Sequence, residues 1–164
     1  MRHNVKLLGH TASVEDVKFM PNSENVLCSA GQDSLLLFWD IRVGSNPVIT
    51  VKDLHDGDIN TVDWSVLNDN FLATGANDCL VKLLDIRKIV DQLSSSPSNT
   101  SPIVATLQGH PTKVQTVRFS TFDSRFLAST GEQIVFWNLE SLSPEMSKQA
   151  SSIFNPEEIK SDLF

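Results

Sequence analysis

At 164 residues the chain has the length of one domain, and its 13 basic against 20 acidic side chains give a formal charge of −7. Such a balance repels nucleic-acid phosphates and favours basic partners, so no direct nucleic-acid binding is expected. Cys28 and Cys79 are expected as reduced thiols. With no apolar run of signal-peptide or membrane-span length in the sequence, a nuclear, or also cytoplasmic, protein without a membrane contact is expected.

Residues 5–8 form a short apolar-rich piece that ends at Gly9-His10. From Val14 to Phe19 apolar and polar residues alternate unevenly, which suits an innermost strand better than a helix, and Pro21-Asn22-Ser23 turns the chain. Residues 26–29 are strand formers, Gly31-Gln32-Asp33-Ser34 is a turn, and 35–39 is a continuous apolar run of strand length. Asp40-Ile41-Arg42 then leads through Gly44-Ser45-Asn46-Pro47 to a fourth strand at 48–51. The order predicts a four-stranded antiparallel meander.

A second unit follows, with strands at 59–64, 71–74, 80–84 and 103–107. Between its last two strands, residues 91–102 are rich in Ser, Pro and Asn and are expected as a mobile loop. A third unit has strands at 114–119, 126–129 and 133–137, and there the pattern stops. Residues 141–164 are expected as a disordered tail, with a short helix over 156–163 at most.

The three units share one frame. Gly9-His10 is followed by Trp39-Asp40, Leu54-His55 by Leu84-Asp85 and Gly109-His110 by Trp137-Asn138, with 29, 29 and 27 residues from the His to the closing Trp or Leu. A His-anchored opening and a Trp-Asp close at this period mark propeller blades, and the chain resembles the WD-repeat family. The fold class expected is all-β: a partial β-propeller of about three four-stranded antiparallel blades, the last incomplete. The repeats are bounded at 9–53, 54–108 and 109–140, and residues 1–8 are the outer strand of a missing blade.

In that family a His, a strand Ser or Thr, an Asp and the Trp are hydrogen-bonded across each blade. By position the resemblance implies His10, Ser29, Asp33 and Trp39 in the first unit and His55, Thr74 and Asp78 in the second, where Leu84 replaces the Trp. In the third it implies His110, Ser129 and Trp137, with a turn two residues shorter and Glu132 as the nearest acid. His10, Ser29 and Asp33 are also the residue types of a hydrolase triad. Because the set recurs in each unit, and no Gly-rich elbow surrounds a Ser, the reading is structural and no catalysis is expected. No histidine stands at metal-ligand spacing from a Cys or carboxylate, so neither metal nor cofactor is expected.

Three stretches narrow the resemblance: VEDV after the first Gly-His, WDIRVGSNPVITV at the first exit, and INTVDWSVLND in the second unit. They are similar to the histone-binding, retinoblastoma-associated branch of the family, closest to its plant FVE-like members. The resemblance implies a non-enzymatic scaffold that presents histone tails to deacetylase, methyltransferase or chromatin-assembly complexes. By position Glu15 and Asp58 match acids that pair with a basic peptide at the channel mouth, and Asp56 is added for its charge alone. Solvated loop acids without a ligand are the alternative for each. Lys113, one unit after Asp58, would repel such a peptide.

Trp39-Asp40-Ile41-Arg42 also resembles the box by which some family members dock on the adaptor of cullin ubiquitin ligases. Arg42 would be the anchor beside Asp40, and Asp85 with Arg87 a weaker copy. The plainer alternative is an arginine at a strand exit pairing with its neighbouring aspartate. Ser96-Pro97, Ser101-Pro102 and Ser143-Pro144 are candidate proline-directed phosphorylation sites. Family members of this type carry seven blades, and three cannot close that ring. A truncated form of a longer protein is expected, with assembly of several copies as the alternative.

Overall fold

The computed structural model describes residues 4–92, 100–140 and 142. Eleven strands and one short helix build three antiparallel sheets among them. Blade 1 contains β1 (Val14–Phe19), β2 (Val26–Gly31), β3 (Leu36–Asp40) and β4 (Ile49–Val51), paired in that order. Blade 2 contains β5 (Ile59–Trp64), β6 (Phe71–Ala76), β7 (Leu80–Asp85) and β8 (Ile103–Gln108), again paired in sequence. Blade 3 has three strands, β9 (Thr116–Phe119), β10 (Phe126–Thr130) and β11 (Ile134–Asn138). The chain is an all-β partial propeller.

Why the middle strands read as unbroken apolar runs is explained by their burial on both faces. On β3, Leu36 and Phe38 join Cys28 and Ala30 on the trailing face of blade 1, which packs on Leu54, Ile59, Val62, Trp64, Leu72 and Leu84 of blade 2. On the same strand Leu37 and Trp39 face the other way, with Leu27, Leu7 and Leu35. The trailing face of blade 2, with Phe71, Ala73, Val81 and Leu83, packs in turn on Val114, Val117, Phe119 and Leu127 of blade 3. The core of this protein therefore lies between blades rather than within one.

Polar bonds join the inner strands across those two junctions. Asp16 Oδ2 on β1 accepts from the Val62 amide at 3.0 Å and the Thr61 hydroxyl at 3.1 Å. Thr61 Oγ1 accepts from the Val117 amide at 3.2 Å, and Asp63 Oδ2 accepts from the Phe119 amide at 2.7 Å. Edge amides of β5 and β9, which a neighbouring sheet would otherwise leave without an acceptor, are satisfied in this way. Lys18 Nζ adds an ion pair with Asp63 at 3.0 Å.

Three expectations need restating. Residues 5–8, expected as an outer strand, form none: among residues 4–8 the Leu8 amide donates to Ser45 O at 2.8 Å within blade 1 itself. The exit of blade 2, for which the sequence suggested only the loop at 91–102, begins as helix α1 (Ile86–Asp91), capped by Asp85, whose side chain accepts from the Arg87 amide. Ile89 on α1 is buried against blade 1 and blade 2 residues. The expected loop at 91–102 lies mostly outside the described residues, as do the expected tail, its helix, and the Ser96-Pro97 and Ser143-Pro144 dipeptides.

Candidate functional site

Each blade carries a polar chain from its opening loop to its second strand, and in blades 1 and 3 it runs on to the third. In blade 1 His10 Nδ1 lies 2.9 Å from Asp33 Oδ1, His10 Nε2 lies 2.7 Å from Ser29 Oγ, and Trp39 Nε1 donates to Ser29 Oγ at 2.8 Å. The tautomer follows from the partners. An ionised Asp33 can only accept and an indole N–H can only donate, so His10 Nδ1 holds the proton and Ser29 O–H donates to Nε2. Asp33 also accepts from the Thr11 amide at 2.8 Å. Burial pushes Asp33 up, but the Thr11 amide, His10 and the Leu35 amide outweigh it and hold the carboxyl below its ordinary range.

Blade 2 repeats the chain without its last link. His55 Nδ1 lies 2.9 Å from Asp78 Oδ2 and Nε2 lies 2.8 Å from Thr74 Oγ1, while Leu84 supplies no donor. In blade 3 the other end is missing: His110 Nε2 lies 2.6 Å from Ser129 Oγ, which accepts from Trp137 Nε1 at 2.7 Å, but buried His110 Nδ1 has no partner. Burial lowers the basicity of both His55 and His110, against the raising influence of Asp78 in the first case.

Such a chain is not a nucleophile and its base. Ser29 is buried and its oxygen already accepts the Trp39 proton, so the hydroxyl is spent on structure. Cys28 is buried and burial pushes its thiol up, which leaves it inert. Among the described residues no three His, Cys, Asp or Glu side chains converge as a metal site, and no helix is long and apolar enough to cross a membrane.

The candidate interaction surface is the rim where the inner strands begin. The β1 ladder slips by one residue between Val14 and Asp16, and the β5 ladder slips at the equivalent place between Ile59 and Thr61. Glu15 and Asn60 are therefore the extra residues of two bulges, a device that re-aims a side chain beside a site. Glu15 is exposed there, and Asp56 is exposed on the loop before β5. Asp58 Oδ2, half-buried, accepts from Asn77 Nδ2 at 3.0 Å. Asn77 Oδ1 accepts from Asn60 Nδ2 at 2.9 Å, and Asn60 reaches Val114 O at 2.8 Å. A bonded row thus holds the rim of blade 2 against blade 3, where exposed Lys113 stands at the position of Asp58.

At the strand exits two arginines fold back on their own aspartates. Arg42 Nε and Nη2 lie 2.9 and 2.6 Å from the Asp40 oxygens, and Arg87 makes the same fork on Asp85 at 3.0 and 2.7 Å. The Arg42 pair holds the Asp40 carboxyl down at about 2. A third fork, Arg125 on Asp123, closes the β9–β10 turn and was not legible as a site. Sequence reasoning also missed the carboxylates that cross between blades, Asp16 and Asp63. They stand two residues apart in the repeat frame, so no periodic position marked them.

A family model described as "WD domain, G-beta repeat" matches residues 2–40, 46–85 and 101–138. The chain is 46% identical over 89 residues to the WD-40 repeat-containing protein MSI4 of Arabidopsis thaliana, covering 54% of this chain and 18% of that protein. It is 35% identical over 85 residues to MSI3 of the same plant, covering 52% and 20%. A longer alignment, 25% identical over 154 residues, matches the histone acetyltransferase type B subunit 2 of Debaryomyces hansenii, covering 93% of this chain and 36% of that one. The chain spans between about a fifth and a third of the length of these relatives.

Proposed function

The chain belongs to the WD domain, G-beta repeat family, and from that premise we propose that it is a non-enzymatic, nuclear interaction scaffold that takes basic peptides such as histone tails. Glu15, Asp56 and Asp58 are the acids of the site, and deacetylase, methyltransferase or chromatin-assembly subunits are the partners such a scaffold serves. The observation that carries the reading is the rim itself: a bulge sets exposed Glu15 outside the β1 ladder, while the next blade opens with Asp56 and Asp58. The net charge of −7 adds long-range attraction for the same ligands. The name of the yeast relative, a histone acetyltransferase subunit, supports a histone as the source of the peptide. In this reading the chain holds part of a longer protein's binding face.

Titration of a labelled Lys/Arg-rich histone-tail peptide tests this. Binding that weakens about tenfold with Glu15→Lys or Asp58→Lys, and strengthens with Lys113→Glu, supports the site. Equal binding by all three variants would remove these residues from it.

A second reading rests on the exposed strand-exit arginines: the Arg42 side chain is 66% accessible while forked on Asp40. In that reading Asp40, Arg42, Asp85 and Arg87 dock a cullin ubiquitin-ligase adaptor. Loss of adaptor capture on Arg42→Ala, with peptide binding unchanged, is its test.

A further inference from the structure

The acids that open blades 1 and 2 at the rim are held in different ways. Glu15 is exposed, and its side chain makes no hydrogen bond among the described residues. Asp58 is clasped by Asn77 at two points: the Asn77 main-chain amide donates to Asp58 O at 2.9 Å, and Asn77 Nδ2 donates to Asp58 Oδ2 at 3.0 Å. Blade 1 keeps only the first of these. At the equivalent positions the Gln32 amide donates to Ser13 O at 2.9 Å, and Ser13 carries no charge. Gly57, between Asp56 and Asp58, adopts φ +120, which side chains rarely allow, and the loop there lies against the Asn77 side chain.

Beyond Asn77 the bonds continue as a relay whose direction is fixed. Asn60 Nδ2 donates to Asn77 Oδ1 at 2.9 Å and to Val114 O at 2.8 Å. The carbonyl at one end and the ionised carboxylate at the other can only accept, so both amides must turn their NH2 groups toward them, and neither can flip without breaking the row. The far end is pinned as well: Val114 is buried, and its amide donates to Ala76 O at 3.0 Å, next to Asn77 itself. A carboxylate on a rim loop otherwise loses rotamer freedom when a ligand orders it, which costs affinity. Asp58 is ordered beforehand, and its Oδ1, which takes no hydrogen bond among the described residues, is left for a donor from outside.

We propose that Asn77, braced by Asn60, is a positioning residue of the basic-peptide site: it makes Asp58 the oriented anchor for a ligand cation, while Glu15 adapts to whatever that anchor presents. The proposal rests on the peptide-binding reading above. It also gives blade 3 a part in the site through Val114 O, although the exposed Lys113 beside it repels the ligand.

A double-mutant cycle in peptide binding tests this, read by the anisotropy of a labelled Lys/Arg-rich histone-tail peptide, with circular dichroism of each variant to check that its fold is kept. Asn77→Ala leaves the net charge and so the long-range attraction unaltered, and it is expected to weaken binding about threefold, the worth of one orienting hydrogen bond. Asn60→Ala should weaken it in the same direction. In an Asp58→Asn background, itself weaker than the natural chain, neither substitution should weaken binding further, because no carboxylate remains to be oriented. General damage to the rim would instead lower affinity by the same factor in both backgrounds. Weakening by Asp58→Asn together with natural affinity for Asn77→Ala or Asn60→Ala, or with equal losses in the two backgrounds, overturns the relay and leaves the peptide site standing. Natural affinity for Asp58→Asn removes Asp58 from the site, and the relay falls with it.

Discussion

Gly9 lies against Trp39 so closely that a Cβ on the glycine would stand 2.8 Å from the indole Cη2, and Gly109 repeats this with Trp137 at 2.9 Å. The Gly-His opening and the Trp close are therefore one packing unit read at two places. Blade 2 changes both members together: Leu54 fills the glycine position and Leu84 the tryptophan position, and both are buried in the same cluster. A large ring beside no side chain has become two side chains of middle size.

That exchange predicts strong coupling. Leu84→Trp alone overfills the site and should cost about 1–3 kcal/mol, while Leu54→Gly alone leaves a cavity and should cost at least as much. The double variant should lose much less than the sum. Denaturant midpoints across the double-mutant cycle give the coupling directly, and additive costs would refute the shared-volume account.

The polar chains should differ in worth according to how many groups each hydroxyl serves. Ser29→Ala removes an acceptor from Trp39 and a donor from His10. Thr74→Val leaves only His55 Nε2 without its partner, while Nδ1 keeps Asp78. Urea denaturation should show the first losing about 1–3 kcal/mol and the second less.

Acid should weaken the fold in a window set by the histidines. Burial depresses the folded pKa of His55 and His110 below the ordinary 6.5, so the unfolded chain takes up protons first. Their contribution is complete above that value and is lost as pH falls through the lower folded values. His110, without a carboxylate partner on Nδ1, is the cleaner case. Thermal midpoints measured from neutral pH downward should fall, and His110→Gln should flatten the fall even though it lowers the starting midpoint.

Asp63 joins two blades through Phe119 and Lys18. Asp63→Ala should cost about 1–3 kcal/mol by leaving a buried amide without its acceptor. Hydrogen exchange should locate the damage, with the Phe119 amide exchanging faster while amides of β2 and β3 keep their protection.

Blade strands were legible because β2, β3, β6 and β7 are buried on both faces and read as short apolar runs between turn residues, and because His, Ser or Thr, Asp and Trp recur at fixed offsets. Helix α1 was not, since six residues offer too little periodicity to outvote the loop composition that follows. Residues 5–8 read as a strand from composition, but a strand also needs a ladder partner, which no local pattern can report. Asp16 and Asp63 were invisible for a related reason: each is defined by an amide on the next blade. Glu15 was legible as an acid at a matching position, whereas the bulge that sets it outside the β1 ladder belongs to the register of β1 on β2.

The most direct test of the central claim is the amide-exchange footprint of a bound Lys/Arg-rich histone-tail peptide on the chain. The account predicts protection at residues 13–16 and 55–60, where Glu15, Asp56 and Asp58 stand, and none at 110–115, where Lys113 takes the equivalent place. Protection confined to 110–115, or no protection at a saturating peptide concentration, would contradict it.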